Sequence, residues 1–170
     1  MISCLRHTLV APAILLVLLT APGAPARAAV LPRLELIAPD RSVTNVTQLS
    51  IASGKWIFIY VHANHSASEE LLRRLSKTQY AGVPQRTVIV LGGVGADGLA
   101  SFTARHPQLA AALWYADPVK KTRAVLKLSG TPIILGVDNQ EITWSLNGLP
   151  RDDRWTQSMF TTWVKPWGTH

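Results

Sequence analysis

Residues 55–72 read KWIFIYVHANHSASEELL, and this stretch decides the fold of the chain. The apolar run from Trp56 to Val61 is rich in β-branched and aromatic residues, which is typical of a strand buried on both faces. A short polar turn follows, after which the leucines of residues 71–75 are spaced to share one face of a helix. The stretch therefore predicts a buried strand that leads directly into a helix.

The start of that helix is marked by serines. Ser66 with Glu69 three residues later fits a capping box, and Ser68 is the alternative cap, so the helix is predicted over about residues 68–77. A helix N-terminus presents free N–H groups and positive potential. We therefore expect the functional site at this junction.

The first 28 residues have the pattern of an export signal. Arg6 precedes an apolar run over residues 9–19, and Ala26-Arg27-Ala28 follows as a cleavage motif. Cleavage after this motif would leave residues 29–170 as a single domain in a bacterial periplasm, with no stable membrane insertion. An uncleaved anchor is the alternative, although the run is short for a membrane span.

Cysteine usage restricts the chemistry. Cys4 is the only cysteine in the chain, and it lies in the expected leader. The exported domain would then have no thiol, which excludes a disulfide framework and a cysteine-based redox cycle.

The chain is basic, with 17 Lys and Arg against 10 Asp and Glu and a formal net charge of +7. Small clusters occur at Arg73-Arg74 and at residues 120–123. A solvated surface is the ordinary explanation, and a footprint for an acidic partner or an anionic membrane is the alternative. An exported chain without a recognisable motif is not expected to bind nucleic acid.

A second buried strand over residues 86–91 completes a βαβ unit, whose natural product is a parallel sheet. The other predicted elements, in chain order, are a short edge strand at 34–37, a helix over 99–113 broken at Pro107, a short helix over 119–126, strands at 133–137 and 141–146 around an Asp138-Asn139 turn, and a helix from about residue 152. Core packing is the expected role of Trp56, Trp144, Trp155 and Trp163, whereas Trp167 is the expected interaction anchor.

This order of elements resembles the thioredoxin plan. Residues 55–64 resemble the strand that leads to the thioredoxin active site, Gly130-Thr131-Pro132-Ile133-Ile134 resembles the cis-proline loop, and residues 138–148 resemble the hairpin after it. The resemblance covers about residues 50–165. It implies an α/β, thioredoxin-like fold: a mixed central sheet flanked by helices, with a cis Thr131–Pro132 bond that faces the strand–helix turn.

The chain departs from that family where members carry Cys-x-x-Cys. The corresponding residues here are His65, Ser66, Ala67 and Ser68. Thiol–disulfide exchange needs a thiolate and a resolving thiol, and neither an imidazole nor a hydroxyl can replace them. The resemblance therefore implies a degenerate active-site turn without catalytic residues.

The resemblance also suggests a partner. Thr131 before the proline is similar to the periplasmic disulfide isomerase and reductase branches, and there is a looser similarity to thioredoxin-like pilus-assembly proteins of conjugative systems. In related folds the turn and the proline loop form a groove whose backbone pairs with an extended peptide. His62, Asn64, Thr131 and Pro132 are the candidate groove residues. An envelope protein or peptide is the implied partner, and no cofactor is implied.

Two other chemistries compete for the turn. His62 and His65 could bind a metal, but two imidazoles make an incomplete ligand set, so no metal is predicted. Ser66 or Ser68 could act as a nucleophile beside a histidine, although no acid partner is identifiable and capping serines are expected there.

The leading hypothesis is a non-catalytic periplasmic thioredoxin-fold protein that binds an envelope partner, as an assembly or scaffolding factor. The alternative is a redox-associated or metal-binding thioredoxin-like protein that uses the His65–Ser68 turn.

Overall fold

The structure is a computed structural model that describes residues 29–77 and 82–165. The expected leader and the tail with Trp167 lie outside these residues. The strands are β1 (Ala29–Val30), β2 (Glu35–Ile37), β3 (Val43–Asn45), β4 (Lys55–His62), β5 (Thr87–Gly92), β6 (Leu113–Asp117), β7 (Ile133–Asp138) and β8 (Glu141–Asn147). The helices are α1 (Ser66–Ser76), α2 (Gly82–Gln85), α3 (Ala96–Thr103), α4 (Lys121–Val125) and α5 (Asp153–Val164), with single 3-10 turns at Val46–Gln48 and Pro107–Leu109.

The strands form one mixed sheet in the order β1-β8-β7-β4-β5-β6-β2-β3. The three strands β4, β5 and β6 are parallel neighbours, and the strands outside them pair antiparallel. β4 lies at the centre, where Trp56 to Val61 are all buried, as the continuous apolar run predicts. The carboxyl ends of the three parallel strands meet at one edge of the sheet, which is the edge where α/β folds bind ligands.

The two faces of the sheet are covered differently. One face carries Ile57, Ile59 and Val61 and packs against apolar residues of α1, α2, α3 and α5. The opposite face carries Trp56, Phe58 and Tyr60 and packs against the segment from Leu31 to Ile51 and against Leu126 and Leu128. The predicted thioredoxin-like α/β fold, a mixed sheet flanked by helices, is confirmed.

The helix predicted over residues 99–113 is wrong in its second half. α3 ends at Thr103, a single 3-10 turn follows at Pro107–Leu109, and β6 begins at Leu113. Proline removes a backbone donor from a helix interior. The short apolar run after it pairs with β5, where Trp114 lies beside Ile89. A run this short does not distinguish strand from helix by its periodicity.

The predicted edge strand at residues 34–37 is not at an edge. Ile37 of β2 pairs with Ala116 of β6, and the other side of β2 pairs with β3, which forms the edge instead. The hairpin between β7 and β8 is confirmed, but the predicted Asp138-Asn139 turn is wrong by one residue. Asp138 ends β7, and the two turn residues are Asn139 and Gln140, which both have positive φ.

The described tryptophans range from buried to exposed, and Trp144 and Trp163 are half-buried. Trp56 is fully buried, and the rings of Trp144 and Trp163 meet edge to face with centroids 5.6 Å apart. Trp155 is 45% exposed, so its predicted core role is wrong.

Within residues 29–77 and 82–165, no helix has the length and apolar character needed to cross a membrane.

Candidate functional site

The residues of the turn between β4 and α1 become more buried from its first position to its last. His65 and Ser66 are exposed, Ala67 is half-buried and Ser68 is fully buried. The Ser68 hydroxyl accepts a hydrogen bond from the backbone N–H of His62 at 3.2 Å. The first position of the turn therefore faces solvent, and the last lies beneath it against the end of β4.

The predicted start of the helix is wrong by two residues. α1 begins at Ser66, and His65 is the N-cap residue without a side-chain capping bond. The carbonyl of His65 accepts the backbone N–H groups of Ser68 at 2.9 Å and Glu69 at 3.2 Å. Neither Ser66 nor Ser68 caps the helix, because both lie inside it. The Ser68 hydroxyl instead accepts the backbone N–H of His62 in the preceding strand.

The proline loop lies at the same edge of the sheet. The Thr131–Pro132 peptide bond is cis, Pro132 is buried and Thr131 is half-buried. Ile133 pairs with Tyr60 in the antiparallel register of β7 and β4, so the two residues before Ile133 adjoin the end of β4. The Pro132 carbonyl accepts the backbone N–H of Gly148 at 2.8 Å, which fixes the loop to the end of the hairpin.

The remaining predicted groove residues lie on the turn itself. Asn64 is exposed and His62 is half-buried. The backbone N–H of Asn64 donates to His62 Nδ1 at a long distance of 3.5 Å. The other ring nitrogen, Nε2, lies toward Gly93. His62 therefore ends β4 and Asn64 follows it, while Thr131 and Pro132 precede the strand that pairs with β4.

The sequence reasoning missed the cations around His62. Burial is the largest cause that lowers the pKa of His62. The charges of Lys120, His65 and Arg123 lower it further, in that order. A Cβ placed on Gly93 would lie 3.1 Å from both His62 Nε2 and Lys120 Cε. The basic run at residues 120–123 was visible, but its proximity to His62 depends on the tertiary fold.

A buried carboxylate underlies this edge. Asp117 is 2% exposed, and its two oxygens accept the backbone N–H groups of Lys121 and Thr122 at 2.9 Å each. The Tyr60 hydroxyl lies beneath Gly92 and has no hydrogen-bond partner among the described residues. Burial, followed by the charge of Asp117, raises the pKa of Tyr60 to about 12.

The geometry bears on the metal site and on the Ser68 nucleophile that were considered for the turn. In the part of the chain that the structure describes, no group of three or more His, Cys, Asp or Glu side chains is placed to bind a metal ion. His106 lies elsewhere, stacked on Trp114 and 3.1 Å from a Glu69 oxygen. The Ser68 hydroxyl is buried against the backbone, which leaves it no access to a substrate.

Comparison with known proteins relates the chain to others through its fold. No protein-family model matches the chain, and no curated protein matches its sequence. Among solved structures, a thiol:disulfide interchange protein from Bacteroides sp. has a TM-score of 0.64 at 16% identity, over 84% of this chain and 92% of that one.

Two further solved structures are similar to this chain in fold. A protein from Chlorobium tepidum, described as the thiol:disulfide interchange protein DsbE, has a TM-score of 0.63 at 12% identity, over 79% of this chain and 94% of that one. A secreted disulfide oxidoreductase from Mycobacterium tuberculosis has a TM-score of 0.61 at 8% identity, over 76% of this chain and 95% of that one. The chain therefore has the thioredoxin-like fold found in thiol:disulfide interchange proteins, with His65 to Ser68 at the junction between its central strand and α1.

Proposed function

We propose that this chain is a thiol-free, redox-associated thioredoxin-fold protein of the bacterial envelope. It binds an extended segment of a partner polypeptide at the His65–Ser68 turn and the Thr131–Pro132 loop, and it does not exchange disulfides itself. The similar structures that belong to thiol:disulfide interchange proteins support the redox association. The export pattern of residues 1–28 supports the compartment.

The observation that carries the proposal is the arrangement of the turn. His65 faces solvent at the start of α1, Ser68 is buried three residues later, and the cis-proline loop adjoins the same strand end. Exchange through a mixed disulfide requires one accessible sulfur and a second sulfur that can reach it. An imidazole and a hydroxyl occupy these two positions, so a partner could be held there but could not be covalently exchanged.

The backbone supplies the expected mode of binding. An extended peptide gains affinity from main-chain hydrogen bonds at an exposed strand end, and its alternate side chains fill neighbouring depressions. Thr131 precedes the first paired residue of β7, which places its backbone at such an end. We propose an envelope protein as the partner, because both would reach the same compartment.

A cysteine trap tests the proposal. In a full-length Cys4→Ser background, His65→Cys would introduce the only thiol of the chain, at a helix N-terminus that favours the thiolate. Without a resolving thiol, a bound partner with a cysteine or disulfide at this edge would remain as a mixed disulfide. We expect discrete, reductant-sensitive adducts from the native envelope.

Arg154→Cys is the matched control. Arg154 is exposed on α5, next to Asp153, which contacts Arg73 and Arg74 near the C-terminal end of α1. It therefore lies far from the start of α1. Identical adducts from both variants would overturn the proposal. Reduction of insulin by the Cys4→Ser protein, without any introduced cysteine, would also overturn it.

A further inference from the structure

We propose that the segment bound at this edge is acidic and contains an aliphatic side chain, which docks on the surface formed by His62, His65, Val119, Lys120 and Arg123. We call these five residues the basic edge. The inference rests on the proposed function and names the chemistry of the partner.

The first observation is convergence. His62 ends β4, Lys120 follows β6, and Gly93 lies between them after β5. Lys120 has a left-handed backbone with φ 56, which few residues other than glycine adopt. Its Cε and His62 Nε2 both lie 3.1 Å from the point where a Cβ on Gly93 would stand. A side chain at position 93 would occupy the space that the imidazole and the lysine side chain flank.

The second observation is unmatched charge. Among the described residues, no carboxylate oxygen lies within 4.0 Å of a Lys120 or Arg123 side-chain nitrogen, whereas the neighbouring Lys121 pairs with Glu35 at 2.8 Å. Asp117 is the nearest buried acid, but its oxygens are already held by two backbone N–H groups. Among the described residues, the Arg123 side chain donates to the Leu128 carbonyl, at 3.2 Å. The edge therefore presents two cations that form no ion pair within the described chain, and the buried Asp117 beneath them offsets part of their charge.

The third observation concerns His62. Burial lowers its pKa most, and the charges of Lys120, His65 and Arg123 lower it further. Positive potential therefore reaches the half-buried ring. A carboxylate bound among these groups would relieve their mutual repulsion and would favour the protonated ring. The imidazole thus reports on the occupancy of the surface.

The fourth observation favours a polypeptide over a small anion. Val119, next to Lys120, is 79% exposed, the highest value among the large hydrophobic side chains of the described chain. Aliphatic contact has no value for an inorganic anion but complements a peptide side chain. The backbone end at Thr131 lies at the same edge of the sheet and suits an extended segment.

Two synthetic peptides test the inference by calorimetry with the full-length protein. One is the acetylated and amidated peptide GEVELEG, and the other is its neutral twin GQVQLQG. Since partly exposed ion pairs are individually weak, we expect the acidic peptide to bind about five- to tenfold more tightly, with a difference that shrinks in high salt.

Variants localise the effect. Lys120→Met with Arg123→Gln should remove the preference for the acidic peptide, because the side-chain stems remain and the charges are lost. Arg154→Gln, on the distant end of α5, should leave the preference unchanged. Binding of GEVELEG should also move the ring-proton resonances of His62 in an NMR titration, and the folded state of each variant is checked by circular dichroism.

The outcomes separate the two proposals. Equal binding of both peptides would overturn the acidic preference and leave peptide binding at the edge intact. Binding of neither peptide would overturn both. Sedimentation with phosphatidylglycerol vesicles that is lost in the double variant, without peptide binding, would assign the basic edge to a membrane surface and overturn the inference.

Discussion

The hydroxyl of Ser68, in the first turn of α1, accepts a hydrogen bond from the backbone N–H of His62 at the end of β4. The contact joins the strand to the helix beneath the turn, where Ser68 is fully buried. It gives Ser68 a structural role at the β4–α1 turn that is independent of any chemistry.

Ser68→Ala should destabilise the protein by about 1–3 kcal/mol, because it leaves a backbone N–H without its partner near the core. Ser66→Ala is the matched control, since Ser66 is exposed in the same turn, and it should change stability by less than about 0.5 kcal/mol. Urea unfolding followed by circular dichroism measures both. Equal effects of the two substitutions would show that the His62 contact is not stabilising.

The double variant His65→Cys/Ser68→Cys, in the Cys4→Ser background, should gain thiol–disulfide exchange. An exposed and a buried position at a helix start supply an attacking and a resolving thiol. Insulin reduction with dithiothreitol measures the gain, and each single variant serves as a control that cannot complete the cycle. A double variant that stays as inactive as the singles would indicate that the scaffold no longer supports exchange.

Gly92→Ala should destabilise the protein by about 1–3 kcal/mol through overpacking. The new Cβ would collide with the Tyr60 hydroxyl and would lie 2.6 Å from Tyr60 Cζ. Tyr60→Phe removes only this hydroxyl, which is buried near Asp117, and it should partly relieve the collision.

Chemical denaturation of both single variants and the double variant measures this coupling. Gly130→Ala is the control, because a Cβ there would meet no atom within 4 Å. Strictly additive effects of the two substitutions would contradict the predicted contact.

Stability should fall as the pH decreases from 7.5 to 5.5. Burial is the main cause that lowers the pKa of both His62 and His106 in the folded protein, and at His106 Glu69 opposes it. As the pH falls through about 6.5, the unfolded chain therefore takes up protons before the folded protein does. Glu70, whose pKa is lowered to about 2, contributes only below its ordinary value of 4.5.

Urea midpoints at several pH values measure this slope, and histidine NMR titrations assign it. His106→Gln should make the slope shallower, because one of the two groups that protonate late is removed. Stability that rises as the solution is acidified across this window would reverse the predicted sign.

Trp163→Ala should cost about 2–3 kcal/mol, less than the full truncation of a buried tryptophan, because Trp163 is half-buried. Its indole packs against Trp144 and donates to the Trp56 carbonyl at 2.9 Å. Trp155→Ala on the same helix should cost less than about 1 kcal/mol, because Trp155 is 45% exposed. Thermal unfolding followed by far-UV circular dichroism compares them without depending on tryptophan fluorescence. A larger loss at Trp155 would place the docking face of α5 elsewhere.

Much of the fold follows from local patterns. The run from Trp56 to Val61 predicts a strand buried on both faces because every one of its residues is apolar, and β4 is central in the sheet. The alternation over β8 predicts a half-exposed strand, which the structure confirms. These patterns were sufficient because the number of covered faces of a strand sets how apolar residues repeat along it.

β6 could not be predicted in the same way. Trp114 and its neighbours follow a helical pattern and a proline, and they form a strand only because β5 supplies a parallel partner on one side. The beginning of α1 at Ser66 was missed for a related reason, since the Ser68 hydroxyl bonds to His62 and not to the helix N-terminus. Both outcomes depend on groups outside the segment concerned.

The sequence by itself determined that the turn of this thioredoxin-like chain contains no sulfur, since the identity of residues 65–68 needs no coordinates. Only the tertiary structure decided that Lys120 lies beside His62 at the carboxyl edge of the sheet. The physical reason is that pairing of β4, β5 and β6 brings together strand ends that are distant along the chain. The electrostatic potential at the site is therefore the sum of the charges that follow each of these strand ends.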